Sequence, residues 1–175
     1  MKEVITLFDK YLKKNNAKFE AIIIGGAALS IMGVINRLTN DIDFLDPNIP
    51  EDIKRISVEF AQKFPDLKLD PDYWMNNGPR TLIRDLPKDW RNNLLKIFDG
   101  ESLKLWTLGR LNLLRTKIYA CADREIDYQD CLALKPTTLE LDECKEWVLE
   151  GDMNPLWAKR VEEVFKRLKK DLGHE

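Results

Sequence analysis

Hydrophobic positions along this 175-residue chain follow two different periods, and the change of period divides it. Val4, Leu7, Phe8, Tyr11 and Leu12 form a helical stripe that ends at the turn-forming pair Asn15–Asn16. Ala21 to Ile24 is a short apolar run stopped by Gly25–Gly26, which predicts a buried strand. The small residues of Ala27 to Met32 suit a short helix packed closely on that strand. Asp41 to Leu45 alternates as D-I-D-F-L ahead of Asp46–Pro47 and predicts a second strand. Glu51 to Phe64 reads as a helix led by Pro50 and closed by Pro65. Leu67 to Leu69 has the pattern of a brief strand, and Asp70 to Asp89, with three prolines and little periodicity, predicts mostly loop. Leu94 to Phe98 and Leu103 to Thr107 flank Asp99–Gly100, a hairpin signature. From Leu108 onward the period is helical: Leu111, Leu114, Ile118 and Ala122 form one stripe, followed by Tyr128–Leu134, Leu139–Leu149 and Leu156–Leu172. The pattern predicts an α+β fold, with an αβ core over residues 1–108 and a helical C-terminal region over 109–175 packed on it.

Composition narrows the functional classes. The chain is 44% hydrophobic and 33% charged, as expected of a soluble globular protein. Its 28 basic and 30 acidic residues leave a net charge of −2, which argues against a general nucleic-acid coat or a polybasic membrane anchor. No run approaches the ~20 apolar residues of a membrane span, and the charged segment Lys2 to Lys14 has no apolar signal core, so a cytoplasmic protein with no membrane partner is expected. The single histidine, His174, lies where the chain is expected to fray, which argues against Ser–His–Asp, Cys–His and His-ligated zinc chemistry. Cys121, Cys131 and Cys144 form no C-x-x-C pair and read as reduced, half-buried helix residues. The five tryptophans are scattered, as in core packing; Trp74, beside the loop Asn76–Gly78, is the one placed to stack on a base. The basic residues of Lys159 to Lys170 alternate with acids, as on a solvated helix face.

The chemistry concentrates between residues 25 and 43. On a strand, Asp41 and Asp43 point to one face, about 6.6 Å apart along the chain, while Ile42 and Phe44 point into the core. Two adjacent carboxylates resist ionising together unless a cation lies between them, and Mg²⁺, held by one or two carboxylates plus substrate phosphates, suits that arrangement. Gly25–Gly26 at a strand end permits close approach of a phosphate to the backbone, and the amides opening the next helix favour anionic oxygens. Arg37, four residues before Asp41, is placed to offset phosphate or carboxylate charge. A solvated edge strand, an ordinary turn and an Arg37–Asp41 pair would explain these parts singly; a phosphate-plus-metal site gives one reason for all of them.

The stretch GGAALSIMGVINRLTNDIDF resembles the signature of the nucleotidyltransferase superfamily related to DNA polymerase beta: hG[GS], a short helix, then Dh[DE]h. Its R-x-T-x-D-I-D form is similar to that of the minimal nucleotidyltransferases of bacterial toxin–antitoxin and abortive-infection systems. A second stretch, LGRLNLLRTKIYACADREIDYQDCLAL, resembles their helical region, and DYWMNNGPR is similar to an uncharacterised branch of the superfamily. The first two stretches cover about a quarter of the chain.

The resemblance implies a nucleotidyltransferase-like mixed β-sheet with flanking helices and a C-terminal helical region. It implies that Gly25 and Gly26 hold the phosphates of an NTP, that Asp41 and Asp43 are catalytic and bind two Mg²⁺ ions, and that Lys117 reaches the triphosphate. Arg37 joins them as a nucleotide-binding residue, whereas Arg124, Asp127 and Asp130 read as a structural ion-pair and helix-capping cluster. The reaction implied is transfer of an NMP from an NTP to a hydroxyl of RNA or protein, with a cognate toxin or antitoxin protein as a possible partner. Active members add a third carboxylate from a further strand; here Asp70 is the first candidate, since Asp99 and Glu101 suit a hairpin turn. Without one, the alternative is a catalytically degenerate fold acting as an antitoxin or protein-binding adaptor. A small-molecule transferase, such as one that adenylylates an aminoglycoside, is a third reading.

Overall fold

The computed structural model describes residues 1–37, 39–124 and 127–174. Their contacts divide into two compact units, Met1–Leu108 and Gly109–Glu175. The first unit is a five-stranded mixed sheet with helices. In chain order it holds α1 (Lys2–Lys14), β1 (Phe19–Ile24), α2 (Gly25–Ile31), β2 (Ile42–Asp46), α3 (Glu51–Lys63), β3 (Met75–Asn76), β4 (Leu95–Asp99) and β5 (Leu103–Thr107). The strands lie in the order β3-β2-β1-β5-β4. β1 pairs antiparallel with β2 and parallel with β5; β3 adds to β2 in parallel, and β4 and β5 form the antiparallel hairpin.

Period-two alternation assigns the two faces of this sheet. Phe19, Ala21 and Ile23 of β1, Ile42 and Phe44 of β2, and Leu103 and Leu105 of β5 form one core with Ile5, Phe8 and Leu12 of α1 and Ile53, Ile56 and Phe60 of α3. Trp74 completes that core. It is fully buried, its ring lies 5.0 Å from Phe8 and 5.6 Å from Phe60, and its Nε1–H donates to Ser57 O at 3.2 Å. The expectation that Trp74 stacks on a base is therefore corrected, because its apolar surface is already spent on the core. Asp43 and Glu20, on the alternate positions, face the other side of the sheet, where Trp106 Nε1–H donates to Glu20 Oε1 at 2.7 Å.

Several local expectations also change. Leu67–Leu69 is no strand: Pro65–Leu67 is a 3₁₀ turn, and Lys68 takes φ +53°, which no strand admits. The segment 70–89 holds β3 and a 3₁₀ stretch, Gly78–Arg84, and is less irregular than its prolines suggested. Helix α2 begins at Gly25, two residues before the small-residue run.

A buried carboxylate ties the hairpin to the first helix. Asp9 of α1 accepts from Ser102 N (2.8 Å) and Leu103 N (2.7 Å) through Oδ1, and from Glu101 N (3.4 Å) through Oδ2. An ion pair between Lys13 and Glu101 lies beside it on the surface.

The second unit is helical: α4 (Arg110–Arg124), α5 (Tyr128–Ala133), α6 (Thr138–Leu149) and α7 (Trp157–Asp171). Leu113, Leu114 and Ile118 of α4, Leu141 and Val148 of α6, and Val161, Phe165 and Leu168 of α7 are buried. The basic residues of α7 lie on its exposed side. All three cysteines are buried thiols, deeper than half-buried helix faces would place them. Cys131's contact with the Cys121 thiol, added to burial, pushes its pKa up, and burial pushes Cys144 up to about 12, so neither supplies a thiolate near neutrality. Helix α6 opens with a reciprocal cap: Thr137 Oγ1 accepts from Glu140 N, and Thr137 N donates to Glu140 Oε2. Arg110 pairs with Glu140 as well and donates to Leu134 O. Among the described residues, no helix is long and apolar enough to cross a membrane.

Two outcomes follow from these anchors. Asp9→Ala leaves buried N–H groups without an acceptor and is expected to lower the unfolding free energy by about 2–4 kcal/mol in urea titrations, with Asp9→Asn recovering part of the loss. Glu140 is held down to about 2 by its bonds to Arg110 and Thr137, below an ordinary value of 4.5. Its stabilising effect is complete above pH 4.5 and is lost as pH falls toward 2. In acid unfolding, wild type should therefore lose stability more steeply over that window than Glu140→Gln.

Candidate functional site

The turn from β1 into α2 shapes the site. Ile24 is extended (φ −132°, ψ −169°) and Gly25 follows at φ +78°, a conformation that strains any residue with a Cβ. Space excludes one too: a Cβ on Gly25 would lie 2.6 Å from Asp43 Oδ2. At Gly26 a Cβ would lie 2.8 Å from Thr39 Cγ2 and 2.9 Å from Arg37 Nη2. Two bare positions thus let a carboxylate, a guanidinium and a threonine close onto one turn. The sheet register delivers Asp43 there, since Ile24 is its partner across β1 and β2.

Of the residues singled out from sequence, Gly25, Gly26, Arg37 and Asp43 are brought together at this turn. Asp41 lies just before β2 and is exposed, whereas Asp43 is half-buried. Asp41 lines an adjoining cavity of about 530 Å³ with Arg37, Thr39, Asn40, Asp70, Tyr73, Trp74 and Asn76. Asp70, the candidate third carboxylate, reaches this cavity from a loop rather than from a strand end, and its Oδ1 accepts from Asp72 N at 3.0 Å.

Lys117 belongs to the second unit. Its buried ammonium donates to Asp127 Oδ1 and Asp130 Oδ2, both at 2.8 Å, and Arg124 stands 3.6 Å from Asp127. Asp127 occupies the N-cap position of α5, but its carboxylate makes no cap hydrogen bond. Two buried carboxylates with one ammonium between them need that charge to stay.

Sequence reasoning missed two residues. Parallel pairing of β3 with β2 sets Asn76 in register with Asp43, so an amide stands on the strand beside that carboxylate. Asn76 Oδ1 accepts from Gly78 N at 2.8 Å. Its neighbour Asn77 donates to Phe44 O (3.0 Å) and Pro47 O (3.1 Å) and accepts from Ile49 N (2.9 Å), tying this segment to the end of β2. The N-N-G triplet was the available signal, and a two-residue strand has no period to read. The other missed residue is Thr39, whose buried Oγ1 has no hydrogen-bond partner among the described residues.

Residues 1–160 match the model of a family described as nucleotidyltransferases of unknown function (DUF6036). The chain belongs to this family. No curated protein and no solved structure matches it. The mixed sheet with flanking helices and a C-terminal helical region is the nucleotidyltransferase-like fold.

For a family of nucleotidyltransferases the question is which groups would hold nucleotide and metal. No cluster of three or more metal-ligating side chains occurs among the described residues. The donor set is two carboxylates, of which Asp43 lies over a cradle that a Cβ would fill, with an unpartnered hydroxyl nearby. That set fits Mg²⁺ arriving with phosphate ligands of its own, the usual way one or two carboxylates hold this ion.

Gly25→Ala tests the cradle. It should cost about 1–2 kcal/mol of stability through φ alone. By displacing the Asp43 carboxylate it should also weaken Mn²⁺ binding measured in the presence of a nonhydrolysable NTP.

Proposed function

We propose that this nucleotidyltransferase-family protein transfers an NMP from an NTP to a hydroxyl of RNA or protein with Mg²⁺ bound at Asp41 and Asp43. The observation that carries this reading is the convergence of the Asp43 carboxylate, the Arg37 guanidinium and Thr39 on the Gly25–Gly26 turn. Such a turn admits phosphate oxygens close to the backbone, and a guanidinium matches them in charge and fork geometry. Asp41 and Asp43 would hold Mg²⁺ together with the phosphates. When bound, the ion would lower the pKa of the attacking hydroxyl and offset charge on the departing pyrophosphate. Arg37 would keep the triphosphate in line with the acceptor. A place in a toxin–antitoxin pair, with a cognate protein partner, accords with the R-x-T-x-D-I-D form of the motif.

One observation favours a second reading. Asn76 stands in register with Asp43, where a third carboxylate would complete a stronger metal site. On that basis the fold would serve as an antitoxin or adaptor, and its complex with a partner would not need Mg²⁺.

Substitution of Asp43 separates the two. Asp43→Asn should leave the melting temperature within a few degrees of wild type and lower NMP transfer from α-labelled NTPs by ~100-fold or more. The Asp41→Asn/Asp43→Asn pair should abolish Mg²⁺-dependent NTP binding in calorimetry. Unchanged transfer by Asp43→Asn would remove the enzymatic reading. If folded wild type binds no NTP, the adaptor reading stands instead.

A further inference from the structure

We propose that the cavity beside Asp41 receives the base of the incoming nucleotide, with Tyr73 as its stacking platform and Asp70 as the acceptor that selects a base bearing an amino group. This rests on the reading of the Gly25–Asp43 site as a nucleoside-triphosphate site.

Tyr73 is 70% exposed and is the sole aromatic among the large apolar residues left exposed in the described chain. No other aromatic ring among the described residues packs against it. Its mounting is rigid. Tyr73 N and Trp74 N donate to Asp70 O at 3.2 and 2.9 Å, and Trp74, the next residue, is locked in the core. An exposed aromatic face at a cavity wall, on a backbone already held in place, is a stacking surface for any flat ring. The cavity volume, about 530 Å³, suits a nucleoside-sized group.

Charge decides which part of the nucleotide fits. Asp41 and Asp70 line the cavity against one guanidinium, that of Arg37. Phosphates would be repelled from the Asp70 side, whereas a neutral base would not. Hydrogen-bond capacity then narrows the base. Asp70 Oδ1 is engaged by Asp72 N, so Oδ2 is the oxygen that this carboxylate, three residues from Tyr73, offers the ligand. Adenine, guanine and cytosine offer it an exocyclic amine. Uracil offers one N–H between two carbonyl oxygens that a carboxylate repels.

Calorimetric titration in Mg²⁺ with ATP, GTP, CTP, UTP and inorganic tripolyphosphate tests the proposal. Tyr73→Ala should weaken ATP binding about tenfold or more while leaving tripolyphosphate unchanged, and Tyr73→Phe should match wild type. Wild type should bind UTP the weakest of the four, and Asp70→Asn, which keeps the acceptor for Asp72 N, should narrow the gap between ATP and UTP. Equal losses for ATP and tripolyphosphate, or none for ATP, in Tyr73→Ala would overturn the pocket while the phosphate site stands. UTP bound as tightly as ATP by wild type would overturn the role of Asp70. Wild type that binds tripolyphosphate and NTPs equally well would overturn the base pocket, and wild type that binds neither would overturn the nucleotide site beneath it.

Discussion

With a methyl group at position 25, the carboxylate of Asp43 would have nowhere to stand. Its Oδ2 lies 2.6 Å from where that carbon would be, and the backbone there has already taken φ +78°. Close approach of an anionic side chain to a bare turn is what lets β2 sit beside β1 in its observed register. The same approach leaves Arg37 and Thr39 room over Gly26. Elements on both sides answer to it: α2 must begin at once, and Arg37 must come back to the turn that opens that helix.

Strand β1 shares its two faces between unlike duties. Phe19, Ala21 and Ile23 hold the core against α1 and α3, and the alternate positions meet Asp43 and Trp106. Stability and chemistry therefore depend on one backbone but on different side chains. That separation is why a carboxylate on β2 can be neutralised to an amide with little consequence for packing, while Phe8 or Phe60 cannot be trimmed in the same way.

Much of this was legible from spacing. D-I-D-F-L set the opposite faces of Asp43 and of Ile42 and Phe44, because a strand period of two leaves no choice once those two are apolar. Asp41, however, falls just before β2, and Leu45 is buried all the same. Gly25–Gly26 marked a turn, although not that its reason was a carboxylate and a guanidinium from later in the chain. Adjacent aromatics were harder: Tyr73 and Trp74 differ by 70% in exposure, and residue type does not say which one turns inward. Asn76 was invisible as a neighbour of Asp43, because pairing between a two-residue strand and β2 is a tertiary event. Asp9 looked like any polar residue of an amphipathic helix, since its partners are backbone amides almost a hundred positions away. The Lys117 cluster was half legible: the residues were seen, but not that the two aspartates would claim the ammonium.

Strand order carries a consequence for biosynthesis. β1, near the start of the chain, has β5 as its parallel neighbour on one side, with Phe19 opposite Leu103. Until the ribosome has released the hairpin, β1 shows an open edge and Asp9 faces water with none of its three amides present. Everything between, including the carboxylate pair and its glycine turn, emerges before the sheet can close around its middle strand. The first unit is thus committed late, on its last fifteen or so residues, and a nascent chain halted short of Leu103 exposes strand edges to any β-rich neighbour.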